Sequence, residues 1–112
     1  MKINIKTRED ITILEPIGKA TIDGGDIALR QAVIEVLDSD EKNILINLAG
    51  VSKMDSSGIG ELVSCYTTTN NRGGKLKLCC LPNKIIQILQ ITQLITVFEI
   101  YHEEDEAVAS FI

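Results

Sequence analysis

Tryptophan is absent from this 112-residue chain, and there are only two Phe and two Tyr. A core must therefore be assembled from Ile, Leu and Val, within a hydrophobic content of 45%. A chain of this length buries roughly two-thirds of its unfolded surface, so it needs no metal or disulfide staple. Basic clusters are missing too. With a net charge of −5, nothing is arranged to displace the counterions of a nucleic acid, and an anionic membrane surface is equally unfavourable. No apolar run approaches the roughly 18 residues that span a bilayer. The alternating start Met-Lys-Ile-Asn-Ile-Lys does not read as a signal peptide. The expectation is a cytoplasmic protein of one domain, residues 1–112, with no membrane insertion and no direct nucleic-acid contact.

Catalytic and ligating groups are equally scarce. The one histidine is His102. No Cys/His spacing resembles a zinc site, and Asp23 and Asp26 stand without further ligands, so neither a metal nor a cofactor is expected. Three cysteines cannot all pair, and the adjacent Cys79-Cys80 would point to opposite faces of a strand. They read as reduced, structural thiols, with only Lys75 and Lys77 as basic neighbours. Gly73-Gly74-Lys75 precedes a strand instead of opening a helix, so it reads as a helix stop and not as a phosphate loop. The acidic run Glu103-Glu104-Asp105-Glu106 suits the first turn of a helix.

What is present is periodicity. Ile3, Ile5 and Thr7 alternate with polar residues, and Ile11 to Ile17 follows a turn at Arg8-Glu9-Asp10, a hairpin signal that ends at Pro16 and Gly18. Leu29, Val33, Val36 and Leu37 share one helical face over Asp26–Leu37, with Asp23 or Asp26 available as cap. Asn43–Leu48 is a nearly continuous apolar run, as in a strand covered on both faces. Ile59, Leu62, Val63 and Tyr66 mark a helix from about Gly58 to Asn71. Lys75–Cys80 alternates as a strand, Pro82 opens a helix through Leu89, Thr96–Ile100 is a last strand, and Glu103–Ile112 a last helix. The order β-β-α-β-α-β-α-β-α predicts an α/β single domain: a mixed sheet with an N-terminal hairpin, then parallel βα units, and helices packed on the sheet.

Functional loops of such sheets lie at the carboxyl ends of their strands. There stands Asp55-Ser56-Ser57-Gly58-Ile59-Gly60, where the strand gives way to a helix. A helix start offers unpaired N–H groups and the positive end of the macrodipole. A serine there can cap the helix, attack a substrate or receive a phosphate. A nucleophile needs a base, which only His102 could supply, and the Gly-x-Ser-x-Gly elbow is not matched. Three capping-type residues in succession exceed what one cap requires.

This motif, after a buried strand and Met54, resembles the phosphorylation motif of bacterial anti-sigma factor antagonists, single-domain members of the STAS family. The element order matches along essentially the whole chain. The resemblance implies partner switching without catalysis by the chain itself. The first serine after the aspartate, here Ser56, would be phosphorylated by an anti-sigma factor that is also a serine kinase. The unphosphorylated form would bind that anti-sigma factor and free the sigma factor, and a metal-dependent serine phosphatase would reset the switch. Asp55, Ser56, Ser57, Gly58 and Gly60 would face the partner, with Ser64 and Thr67 as further contacts off the apolar stripe. The domain is expected to be monomeric. Two departures from the family lie near this edge, Gly18-Lys19-Ala20-Thr21 and Gly24-Gly25. A second reading is a STAS subunit, never phosphorylated, that docks on a membrane transport ATPase. The pair Ser56-Ser57 favours the first.

Overall fold

The computed structural model describes residues 1–112. Strand β1 (Lys2–Arg8) turns back antiparallel onto β2 (Ile11–Ala20). The chain continues through α1 (Gly25–Asp38), β3 (Asn43–Asn47), β4 (Val51–Met54), α2 (Ser56–Asn71), β5 (Lys75–Cys79), α3 (Asn83–Ile91), β6 (Ile100–Tyr101) and α4 (Glu104–Ser110). The sheet runs β1-β2-β3-β5-β6, parallel after the hairpin, as the sequence predicts.

Period-two alternation sends the central strands to both faces. Leu14, Ile44, Ile46, Leu76 and Leu78 meet Leu29, Val33, Leu37, Leu62, Ile85 and Leu89 of α1, α2 and α3 in the main core. Ile11, Ile13, Leu45 and Cys79 point the other way, onto Ala107 and Val108 of α4. Lys77 also lies on that second face and is buried. Its ammonium donates to the Ser110 carbonyl at 2.9 Å and to Ser110 Oγ at 3.0 Å. It also pairs with Glu99 at 3.0 Å and sits 4.6 Å from the centre of the Phe111 ring. A buried ammonium tolerates desolvation only with such partners, and here they hold the C-terminal helix to the sheet.

Four expectations are corrected. First, β2 does not end at Gly18 but runs to Ala20, because a fourth strand, β4, pairs with it in parallel beyond the end of β3. Residues 51–54 are too few and too polar to show as a strand pattern. Second, neither Asp23 nor Asp26 caps α1. The cap position is Gly24 in the left-handed region (φ 118°), and Asp26 Oδ1 accepts from the adjacent Ile27 N–H at 2.7 Å. Third, α2 begins two residues before Gly58, at Ser56. Fourth, Leu94–Thr96 is a 3-10 turn, and the last strand shrinks to Ile100–Tyr101. The apolar residues of 96–100 serve the core instead: Phe98 enters the main core, where Tyr66 meets its ring edge-on at 5.4 Å. The acidic run at α4 does occupy the first turn, and it does more. Glu104 accepts from Asn47 Nδ2 at 3.2 Å and pairs with Lys6 and Arg8, while Asp105 pairs with Arg8.

The glycines of the two departures have local causes. At Gly18 (φ 114°) the register between β2 and β4 shifts, as in a bulge. A Cβ on Gly25 would stand 1.8 Å from the Lys19 carbonyl oxygen, so α1 can start this close to β2 only without a side chain. Gly25→Ala is expected to lower stability by at least about 2 kcal/mol, read as a reduced urea midpoint at unchanged m-value.

Candidate functional site

Strand β4 delivers the chain to Asp55, which caps α2 from an extended conformation (φ −103°, ψ −173°). Its Oδ1 accepts the Gly58 N–H at 3.0 Å, and its Oδ2 accepts the Ile22 N–H at 3.1 Å. One carboxylate thus ties the start of α2 to the loop between β2 and α1. The Ile22 N–H, then the Gly58 N–H, hold the Asp55 carboxyl below its ordinary range, since both bonds favour the anion. Of the three capping-type residues of the motif, Asp55 is the one that caps the helix.

Capping by Asp55 leaves Ser56 free. It is the first helical residue, it is exposed, and its hydroxyl makes no hydrogen bond within the chain. Ser57 is half-buried. Gly58, expected to face a partner, is instead buried: a Cβ there would stand 2.1 Å from the Ala20 carbonyl oxygen and 2.8 Å from Met54 Cγ. Its role is to let α2 lie against the end of β2, which brings Asp55 within reach of Ile22. Gly60 is exposed with open space around it, and Ser64 and Thr67 are exposed as well. Ser56, Gly60, Ser64 and Thr67 follow the i, i+4, i+8, i+11 spacing, so they form one uncharged stripe along α2.

Two exposed aliphatic residues around the start of α1 were not read from the sequence. Ile22 is 72% exposed in the loop that Asp55 holds, and Ile27 is 44% exposed on the first turn of α1. Helix α1 lies along α2, with Arg30 Nε 3.4 Å from Glu61 Oε2 between them. A signal for Ile22 was available: a large aliphatic residue inside the polar, glycine-rich Thr21–Gly25 loop has no local reason to be there. No cavity of the molecule is lined by residues 55–60. His102 is exposed in the loop after β6 and bonds to neither Ser56 nor Asp55. The arrangement presents a hydroxyl at a helix start on an open surface flanked by apolar groups.

The STAS domain model matches residues 2–107. The chain belongs to the STAS domain family. Among its relatives, the anti-sigma-B factor antagonist of Listeria monocytogenes is 30% identical over 108 residues, covering 95% of each chain. The crystal structure of the Thermotoga maritima protein TM1081 superposes with a TM-score of 0.89 at 24% identity, covering 96% of this chain and 92% of that one. The Bacillus cell fate determinant SpoIIAA in its phosphorylated form superposes with a TM-score of 0.75 at 16% identity, covering 99% of this chain and all of that one. These structures confirm the STAS fold expected from the element order.

The Asp55 bonds make a checkable claim about stability. A carboxylate with a depressed folded pKa contributes fully above its unfolded value of about 3.9 and loses that contribution as pH falls through the folded value. Asp55→Ala is therefore expected to lower the urea midpoint at neutral pH. The gap from wild type should narrow as pH falls below the ordinary Asp value, because the folded pKa is the lower of the two. A gap that stayed constant across that range would mean the carboxylate charge is not what stabilises the turn.

Proposed function

We propose that this STAS domain is an anti-sigma factor antagonist that binds an anti-sigma factor through the Ser56 surface and releases it when Ser56 is phosphorylated. The free, exposed Ser56 hydroxyl at the N-terminus of α2 is the observation that carries the reading. The relatives' names support the antagonist role, and the description of SpoIIAA in a phosphorylated form shows that another protein of this fold accepts a phosphate. The chain itself acts as a substrate and a binding module, with no catalytic step of its own. A kinase-type anti-sigma factor and a serine phosphatase are its counterparts, and a cytoplasmic location follows from them.

The physics of the switch is local. Phosphorylation adds about −1.5 to −2 charges and three acceptor oxygens at Ser56. The helix dipole stabilises that charge, so the fold is kept. A partner packed over Ser56 instead meets a dianion beside the Asp55 carboxylate. A penalty on the order of 3–4 kcal/mol weakens binding several hundred-fold. The stripe of Ser56, Gly60, Ser64 and Thr67 allows close approach of a partner backbone, and Ile22 and Ile27 supply apolar anchors at its border.

The test pairs the protein with the anti-sigma factor of the same genome and ATP. Mass spectrometry should place one phosphate on Ser56, and none on Ser56→Ala, which should keep its affinity in the absence of ATP. Ser56→Asp, with one charge, should bind at least about tenfold more weakly. Phosphate on another residue, or unchanged binding of Ser56→Asp, overturns the switch. Ile22→Ala should cost about 1–2 kcal/mol in partner affinity by calorimetry while leaving the urea midpoint in place, since the side chain is mostly in solvent.

A further inference from the structure

Where β3 gives way to β4, the sheet opens. Strand β4 pairs with β2 alone, and its other edge faces the first turns of α3 across a cleft of about 320 Å³. Val51, Met54 and Ile85 are buried along it, Ile88 and Pro82 are half-buried, and Ser52, Lys53 and Lys84 are exposed at its mouth. Neither lysine takes part in an ion pair. No acidic side chain lines the cleft, although the protein as a whole carries a net charge of −5. The cleft is thus aliphatic along its floor and cationic at its entrance, in a molecule that is otherwise acidic.

We propose that this cleft binds a small amphipathic anion: an aliphatic chain ending in a carboxylate or a phosphate monoester. The chain lies on Val51, Met54, Ile85 and Ile88, and the head group sits between Lys53 and Lys84. The volume is at the lower end for small-molecule sites and holds about ten groups at roughly 30 Å³ each. The lining excludes other anions of similar size. No aromatic ring is present to stack on a nucleobase and no carboxylate to accept from sugar hydroxyls, so a nucleotide finds only its phosphates recognised. A bare inorganic anion leaves the aliphatic floor unused. The helix α3 adds to the preference for negative charge, because Pro82 caps it without a side-chain bond to its first N–H groups. The proposal stands on residues other than those of the Ser56 surface and does not depend on its role.

The test is a 15N-NMR titration of the full chain with sodium hexanoate, octanoate and decanoate below their micelle concentrations, and with octyl phosphate. Saturable shifts should be confined to residues 51–54 and 83–88. Affinity should rise with chain length, by up to about fourfold for each added methylene. Octyl glucoside, which has the chain without the charge, should bind at least about tenfold more weakly. The double variant Lys53→Gln/Lys84→Gln keeps its fold because both side chains are exposed, and it should lose about tenfold in affinity for octanoate. Equal binding of octyl glucoside, an unaffected double variant, or shifts that scatter without saturating would overturn the site. Inorganic phosphate shifting the same residues as strongly as octyl phosphate, or binding seen only with anionic vesicles and not with the monomeric amphiphiles, would overturn it too.

Discussion

The Asp55 carboxylate is the interaction on which the site depends. Two N–H groups from different parts of the chain converge on it, one from the first turn of α2 and one from the loop that leads into α1. Removal of either bond frees one side of the surface to move relative to the other. The convergence is achievable only because α2 starts against the end of β2, and that contact requires Gly58 to have no side chain. Glycine, aspartate and the exposed serine between them therefore form one mechanical unit. The glycine sets the distance, the aspartate locks it, and the serine is left outside with nothing to bond.

This division of labour would let the surface stay rigid if Ser56 were modified. A serine that capped its own helix would have its hydroxyl engaged, and phosphorylation would break the cap. Here the cap is supplied one residue earlier, so a phosphate on Ser56 would leave the Asp55 bonds intact. The modified and unmodified surfaces then differ in charge far more than in shape, which suits a partner that must be admitted or refused without refolding the domain.

Much of the fold was legible in the sequence because the central strands and the amphipathic helices have strong periods. Asn43–Asn47 and the Ile59–Leu62–Tyr66 face of α2 each announce their burial. The motif was legible for a different reason, an excess of capping residues at one turn. What escaped the sequence was short or held by distant partners. Strand β4 has four residues and exists because Gly18–Ala20 offer it a ladder. The brief β6 was masked by Val97 and Phe98, which are apolar for the core and not for the sheet. The place of Ile22 in the site depends on a bond to a residue 33 positions away, and no local pattern encodes it. Gly58 was read as an opening for a partner, whereas the Ala20 carbonyl decides otherwise.

The interruption between β3 and β4 has a mechanical side as well. Both strands pair with β2, β3 at Thr12–Leu14 and β4 at Gly18–Ala20, and the β4 ladder carries its own register shift between Gly18 and Lys19. The segment Leu48–Gly50 is consequently a joint between two separate ladders on one strand. The Asp55 turn that follows β4 is therefore positioned by the far end of β2 and the loop beyond it, and not by the central strands of the sheet.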